Sequence, residues 1–286
     1  MPSVPENQDL VINEILFNSQ TGGVDFLELF NRSEKVIDLN GLIVANQALD
    51  NPQIKTIDIQ KLVFPNDYIV LTESPRDIQN RYTVLNPKAL FYQDLPTFED
   101  KAGNIQLYTN ENLTTTFVDE FNYSADYHNP LLSDKNGVSL ERINPNLPTQ
   151  DEGNWHSAAE AVGYATPTYQ NSQYTIPNEP NTAIFSLSST RISPDGDGFE
   201  DVLQINYTTN QAGYTATIHL YDANGQLINQ ITQNELLATE GSFKWEGVMS
   251  DGQKAPIGIY VLWIEYFNLE GKVEQTKKAI VVAGRL

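Results

Sequence analysis

Apolar positions in this chain come in short alternating runs, each closed off by Gly, Pro, Asn or Asp, with no sustained helical stripe. In the first half this pattern predicts strands at Leu10–Phe17, Asp25–Asn31, Gly41–Ala45, Tyr68–Thr72, Ile105–Thr109 and Thr116–Tyr123. Asn110-Glu111-Asn112-Leu113 reads as the hairpin loop joining the last two. One helix is expected at Pro75–Tyr82, where Ser74 can cap, Pro75 fits the first position and Asp77 completes an S-x-x-D capping box. The second half predicts strands at Ile184–Ser188, Val202–Thr208, Thr215–Asp222, Gln226–Thr232, Gly258–Phe267 and Lys272–Ala283. The turns Asp222-Ala223-Asn224-Gly225 and Asn268-Leu269-Glu270-Gly271 read as hairpins within it. Between the halves, Asn171–Ala183 is polar, holds two prolines and has no periodicity, which marks a linker. No heptads recur, so a coiled-coil rod is absent, and the whole pattern is that of an all-β chain of two tandem β-sandwiches.

Length and charge sharpen this picture. At 286 residues the chain is long enough for about two domains with their own cores. A net charge of -20 repels phosphate backbones and anionic lipid, which argues against nucleic-acid binding. Cysteine is absent, so disulfides and thiolate metal sites are excluded. No apolar run approaches the ~20 residues that span a bilayer, so membrane insertion by a helix is not expected. Pro2, Pro5 and Glu6 stand where a signal peptide would need a basic and apolar start. The expectation is an exported protein whose chain here begins after trimming.

The most informative chemistry lies in Arg191-Ile-Ser-Pro-Asp195-Gly-Asp197-Gly-Phe-Glu-Asp201. Asp195, Asp197 and Asp201 offer carboxylates at close spacing on a glycine-rich loop, a donor set suited to a hard cation such as calcium. The competing reading is a turn in which the Asp side chains bond local amides while the glycines take positive φ. A second polar set is Glu14, Glu28, Glu120, His128, Glu141 and His156. Glu14 and Glu28 read as inward polar groups tethered to loop amides, with a bridging cation as the sharper alternative. His128, Glu141 and His156 are the constellation for a transition metal or a hydrolytic site, with Glu120 beside them, yet no pair has i, i+4 helical spacing. No G-x-S-x-G elbow or phosphate loop occurs, so no catalytic residue is assigned and an enzyme is not expected. Trp245 and Trp263 read as core or corner packing; Tyr123, Tyr127 and Tyr164 are the exposed aromatics suited to stacking on a glycan.

Two family resemblances follow from quoted stretches. Val11-Ile-Asn13-Glu14-Ile15, Asp25-Phe-Leu-Glu28-Leu-Phe-Asn31-Arg-Ser33, Phe64-Pro-Asn-Asp-Tyr68-Ile-Val70, Asn154-Trp155-His156-Ser157 and Thr166-Pro-Thr168-Tyr-Gln-Asn171-Ser172 resemble a bacterial lamin tail domain, with Thr168 where a glycine is usual. Ser193-Pro-Asp195-Gly-Asp197-Gly198, Trp245-Glu-Gly247 and Ala255-Pro-Ile-Gly258-Ile-Tyr260 resemble the immunoglobulin-like domain of flagellar-hook-capping proteins. Together they look like the surface proteins of Bacteroidetes. The resemblances imply immunoglobulin-like sandwiches at 10–172 and 184–286, preceded by a tail at 1–9 and joined by a linker at 173–183. They imply a non-catalytic cell-surface or secreted module for adhesion, binding or display of an unidentified protein or glycan, with calcium stiffening the second domain. A targeting and accessory segment of a larger exported enzyme is the alternative, with upstream domains as partners, and a metal-dependent hydrolase the third.

Overall fold

The computed structural model describes residues 2–47, 52–111, 114–175, 184–209 and 211–284. It is nearly all β and divides into two compact units, Met1–Ile176 and Pro177–Leu286. In the first unit the strands are β1 (Leu10–Leu16), β2 (Phe26–Asn31), β3 (Ile37–Asp38), β4 (Leu42–Ala45), β5 (Ile54–Thr56), β6 (Leu62–Val63), β7 (Tyr68–Thr72), β8 (Leu90–Tyr92), β9 (Ala102–Glu111), β10 (Thr114–Ser124), β11 (Leu140–Arg142) and β12 (Trp155–Ser157). A six-stranded sheet runs in the order β12-β11-β1-β2-β7-β8, and a four-stranded sheet in the order β10-β9-β4-β5. The core lies between them, with Ile12, Ile15, Leu27, Leu29, Ile69 and Leu71 meeting side chains such as Leu107 and Phe121.

A two-layer sandwich would leave the far face of the six-stranded sheet wet, yet every residue of β1 and β2 is buried. Helix α1 (Pro75–Arg81) and the irregular stretch through Ala165 form a third layer on that face, where Leu16, Phe26, Val70, Ile78 and Leu90 pack together. The helix starts as its sequence dictates: Ser74 Oγ accepts from the Asp77 amide, and Pro75 occupies the first turn. A bulge decides what each layer receives. The pairing of β1 with β2 shifts at Asn13, so Ile12 faces Leu29 while Glu14 faces Glu28. Ile12 therefore points into the sandwich, and Glu14, only two residues later, points into the third layer with Leu16. A strict period of two would send both to the same face.

The second unit holds β13 (Phe185–Leu187), β14 (Arg191–Ile192), β15 (Leu203–Thr208), β16 (Thr215–Asp222), β17 (Leu227–Leu236), β18 (Glu240–Trp245), β19 (Gly258–Phe267) and β20 (Val273–Val282). Its sheets run β13-β15-β18 and β14-β20-β19-β16-β17. The alternation of β19 shows the physics directly: Tyr260, Leu262, Ile264 and Tyr266 are buried, and the residues between them are not. β18 escapes the apolar pattern because its inward residues are few. Trp245 closes it, its indole N–H donating to Val248 O at 2.7 Å.

Three expectations change. The start of the expected linker belongs to the first unit: Asn171 and Gln173 are buried, and Gln173 N donates to Glu141 Oε2 at 2.8 Å. Residues 176–183 of that linker, and 112–113 of the hairpin loop between β9 and β10, lie outside the described residues. Tyr123 is buried rather than exposed, accepting from Glu99 N at 2.8 Å, while Trp263 stands on the outer face of β19, stacked on His219.

Candidate functional site

The Asp195–Asp201 loop is folded by its own carboxylates. Gly196 N donates to Asp201 Oδ1 and Gly198 N to Asp201 Oδ2, both at 2.7 Å. Asp197 N donates to Asp195 Oδ1 at 3.2 Å, and Phe199 N to Asp197 Oδ1 at 2.9 Å. Gly196 and Gly198 both sit at φ 86°, a left-handed conformation that side-chain-bearing residues resist, so the loop needs glycine at both places. The two amide bonds pull the Asp201 carboxyl below its usual range, which keeps it ionised. One ligand oxygen from each of Asp195, Asp197 and Asp201 lies within 4.8 Å of the others, the one such trio of Asp, Glu or His among the described residues. Asx-type turns set the shape of the loop, and the shape gathers three carboxylates close together.

The second polar set separates into distinct places. Glu120 lies on β10, where Asn104 Nδ2 and Gln106 Nε2 donate to its Oε1 at 2.8 and 2.6 Å. It lines a cleft of about 360 Å³ beside Arg32 and Phe117, in a different sheet from Glu141. The other acids form one row. Ladder register pairs His156 with Glu141, Glu141 with Glu14, Glu14 with Glu28, and Glu28 with Val70, and cross-strand partners project to the same face. Glu14, Glu28 and Glu141 are wholly buried in the third layer.

What covers this row is the stretch from Ala158 to Thr175, and the acids hold it there. Glu14 Oε1 accepts from Ser139 Oγ at 2.5 Å and Thr166 N at 2.9 Å. Glu28 accepts from Asn13 Nδ2 at 2.8 Å and Thr168 N at 2.6 Å. Glu141 accepts from Thr166 Oγ1 at 2.7 Å, and from Ser172 Oγ and Gln173 N at 2.8 Å each. Asn171 adds bonds from its Nδ2 to Asn13 O and Arg142 O. Burial drives the carboxyls up: Glu14 to about 8, helped by the nearby Glu141 charge, with Glu28 and Glu141 also raised by burial. Backbone amides of Thr166 and Thr168 reach Glu14 and Glu28, the arrangement that tethering to loop amides requires. The partners Ser139, Thr166 and Ser172 were not singled out as site residues from sequence, because a hydroxyl on an irregular stretch carries no signal until the sheet beneath it is known.

His128 and His156 are also enclosed. His128 Nδ1 meets Ser157 Oγ at 2.9 Å, and burial pulls its ring down to about 3. His156 is lowered by burial as well, with Nδ1 3.2 Å from Ser157 O. His128, Glu141, His156 and Ser157 are all buried.

Comparison with known proteins adds the compartment. Residues 186–282, essentially the second unit, match the model of the CHU_C type IX secretion signal domain. The protein is therefore an exported one, and among the described residues no helix is long and apolar enough to cross a membrane. No curated protein matches the chain. Among solved structures, a FlgD from P. aeruginosa is 18% identical over 34% of this chain and 72% of its own, at a TM-score of 0.26. Dimeric latent PorU from Porphyromonas gingivalis is 10% identical, with 96% of this chain and 20% of that one covered, at 0.29. A Ca²⁺-stabilized adhesin of an Antarctic bacterium is 9% identical over 100% of this chain and 50% of that one, at 0.22. Likenesses of that size say nothing of shared function.

Proposed function

We propose that this chain is a non-catalytic targeting and accessory segment of an exported protein. The second unit is its type IX sorting signal, and the first is a sandwich carried with it. The observation that supports this is the match of residues 186–282 to the secretion signal domain. The first unit supports an accessory rather than a catalytic part, because its concentrated polar groups are buried and spent on holding its own third layer. Its resemblance to a lamin tail domain points the same way, toward a scaffold that displays or spaces what is attached to it, with protein or glycan partners met outside the cell.

The calcium reading belongs to the second unit. Asp195, Asp197 and Asp201 would supply carboxylate oxygens to one ion, with waters completing the six to eight ligands calcium takes. Its role would be structural: neutralising three neighbouring charges would stiffen the loop in an environment where calcium is abundant.

The test is export of a reporter. Residues 177–286 fused behind a periplasmically delivered fluorescent protein should carry it out of a bacterium with an intact type IX system. The same fusion should stay inside a strain lacking the translocon. Equal release from both strains, or retention in both, would overturn the assignment.

A further inference from the structure

We infer that Glu14 is held in the folded protein as a neutral carboxylic acid, its hydrogen on Oε2 and donated to Thr166 Oγ1, and that this proton fastens the Ala158–Thr175 cover onto the six-stranded sheet. The hydrogens available to the network are too few for three ionised carboxylates. Thr166 Oγ1 lies 2.7 Å from Glu141 Oε1 and 3.2 Å from Glu14 Oε2, yet a threonine hydroxyl carries one hydrogen. If it donates to Glu141, then Glu14 Oε2 faces a bare acceptor unless Oε2 carries a hydrogen of its own. Reversing the donation moves the same deficit to Glu141. The network therefore holds one proton more than three ionised carboxylates would.

Donor placement puts that proton on Glu14. Its Oε1 already accepts two bonds, from Ser139 Oγ and Thr166 N, which is the pattern of a carbonyl oxygen and leaves Oε2 as the hydroxyl. Glu141 accepts three donors across both oxygens, the pattern of an ionised carboxylate. The closed chain is Ser139 to Glu14, Glu14 to Thr166, and Thr166 to Glu141, which links strand β1, strand β11 and the cover.

The surroundings supply no cation in the proton's place. Glu141 and Glu28 flank Glu14 along the row, and His156 ends it on β12. Tyr82 from the α1 side donates to Gly137 O, and burial raises Tyr82, Tyr68 of β7 and Tyr169 of the cover above the ordinary phenol range, so these three are neutral at physiological pH. On the helix, Arg81 is spent on Asp77 at 2.8 Å. Arg142 pairs with Asp119 and lies over the Trp155 ring, with Ile12 O among its acceptors. Asp25, on the β2 side, is itself pushed up to about 6 by burial. Among the described residues no ion pair reaches Glu14, Glu28 or Glu141.

The consequence is a sandwich that loosens with alkalinity. Glu14 releases its proton near 4.5 when the chain is unfolded and near 8 when it is folded. Between those values the folded state keeps a proton that the unfolded chain has lost, so stability falls as pH rises. His128 and His156 act oppositely: they are neutral when folded and protonated when unfolded, so they lower stability below about pH 6.5. Above pH 7 the histidines and Asp25 no longer contribute, and the tyrosines have not begun to ionise. The range from pH 7 to 8.5 therefore isolates the acid row.

The experiment is chemical unfolding of the first unit's transition at pH 7 and 8.5, for the full chain and for Glu14→Gln. Glutamine reproduces the neutral acid, its carbonyl accepting from Ser139 and Thr166 N and its amide donating to Thr166 Oγ1. The wild type should lose up to about tenfold in folding constant per pH unit relative to Glu14→Gln, which should be at least as stable at pH 8.5. Glu28→Gln is the contrast: both Glu28 oxygens accept, so the amide there loses a partner and the variant should be weaker throughout. A Glu14→Gln protein destabilised at every pH, with the wild-type slope intact, would overturn the inference. Should that variant not fold, the wild type decides by infrared spectroscopy, where absence of a protonated-carboxyl band at pH 7 is equally fatal to it.

Discussion

At the scale of the residue, the first unit is governed by polar groups that have been taken out of water and, for the most part, given partners inside the fold. Arg142 shows the stakes. It is fully buried, donates from Nε to Ile12 O at 2.7 Å and from Nη2 to Thr149 Oγ1 at 2.5 Å, and lies 3.4 Å from Asp119. Burial pulls its guanidinium down to about 10, still charged at neutral pH. Arg142→Ala should cost roughly 3–5 kcal/mol, because it strands the buried Asp119 charge and several acceptors at once. Urea midpoints at an unchanged slope would measure this; a loss below about 1 kcal/mol would mean that the neutral donors Gln8, Thr149 and the Ile12 amide hold Asp119 by themselves. From sequence Glu141 is visible as a candidate, and Arg142 stands next to it. The strand is why their environments differ: adjacent residues face opposite sides, so Glu141 enters the acid row and Arg142 the sandwich.

At the scale of the element, the informative pieces are a bulge and a loop. The Asn13 bulge sends Ile12 to one layer and Glu14 to the other, and no propensity announces it. The Asp195–Asp201 loop was legible in full, because D-x-D-G-x-x-D on alternating glycines dictates both the turn and the gathering of carboxylates. Calcium at a hundredfold excess over its dissociation constant should raise the stability of the second unit by ~2.7 kcal/mol, and an Asp195→Ala/Asp197→Ala chain should show no such rise. Thermal unfolding with calcium against excess chelator measures it. Identical curves in both media for the native sequence would leave the loop as a turn alone.

At the scale of the whole molecule, each unit encloses its own apolar cluster, one centred on Ile12, Leu29 and Phe121, the other on Ile205, Leu220 and Leu262. The secretion signal match stays within the second cluster. Chains ending at residue 176 or beginning at 177 should each fold alone, with near-ultraviolet circular dichroism and one cooperative transition apiece. A first unit that is soluble but lacks fixed aromatic signals would show that its three layers depend on the rest of the chain.

The sequence by itself determined the all-β character, most strand positions, the helix with its Ser74 cap, and the acidic loop. All of these rest on local rules: a period of two, turn residues that tolerate positive φ, and short-range hydrogen bonds. It also exposed Glu14 and Glu28 as polar misfits at inward strand positions, and Glu141 as a candidate beside His128 and His156. Only the tertiary structure decided that these misfits form one row across β11, β1 and β2, that a third layer covers them, and that Thr166 stands between two of them. The β1–β11 register and the path of the irregular cover over Glu14 arise from contacts more than a hundred residues apart along the chain. No window of neighbouring residues contains that information, because the free energy of burying a carboxyl depends on which donors the fold brings to meet it.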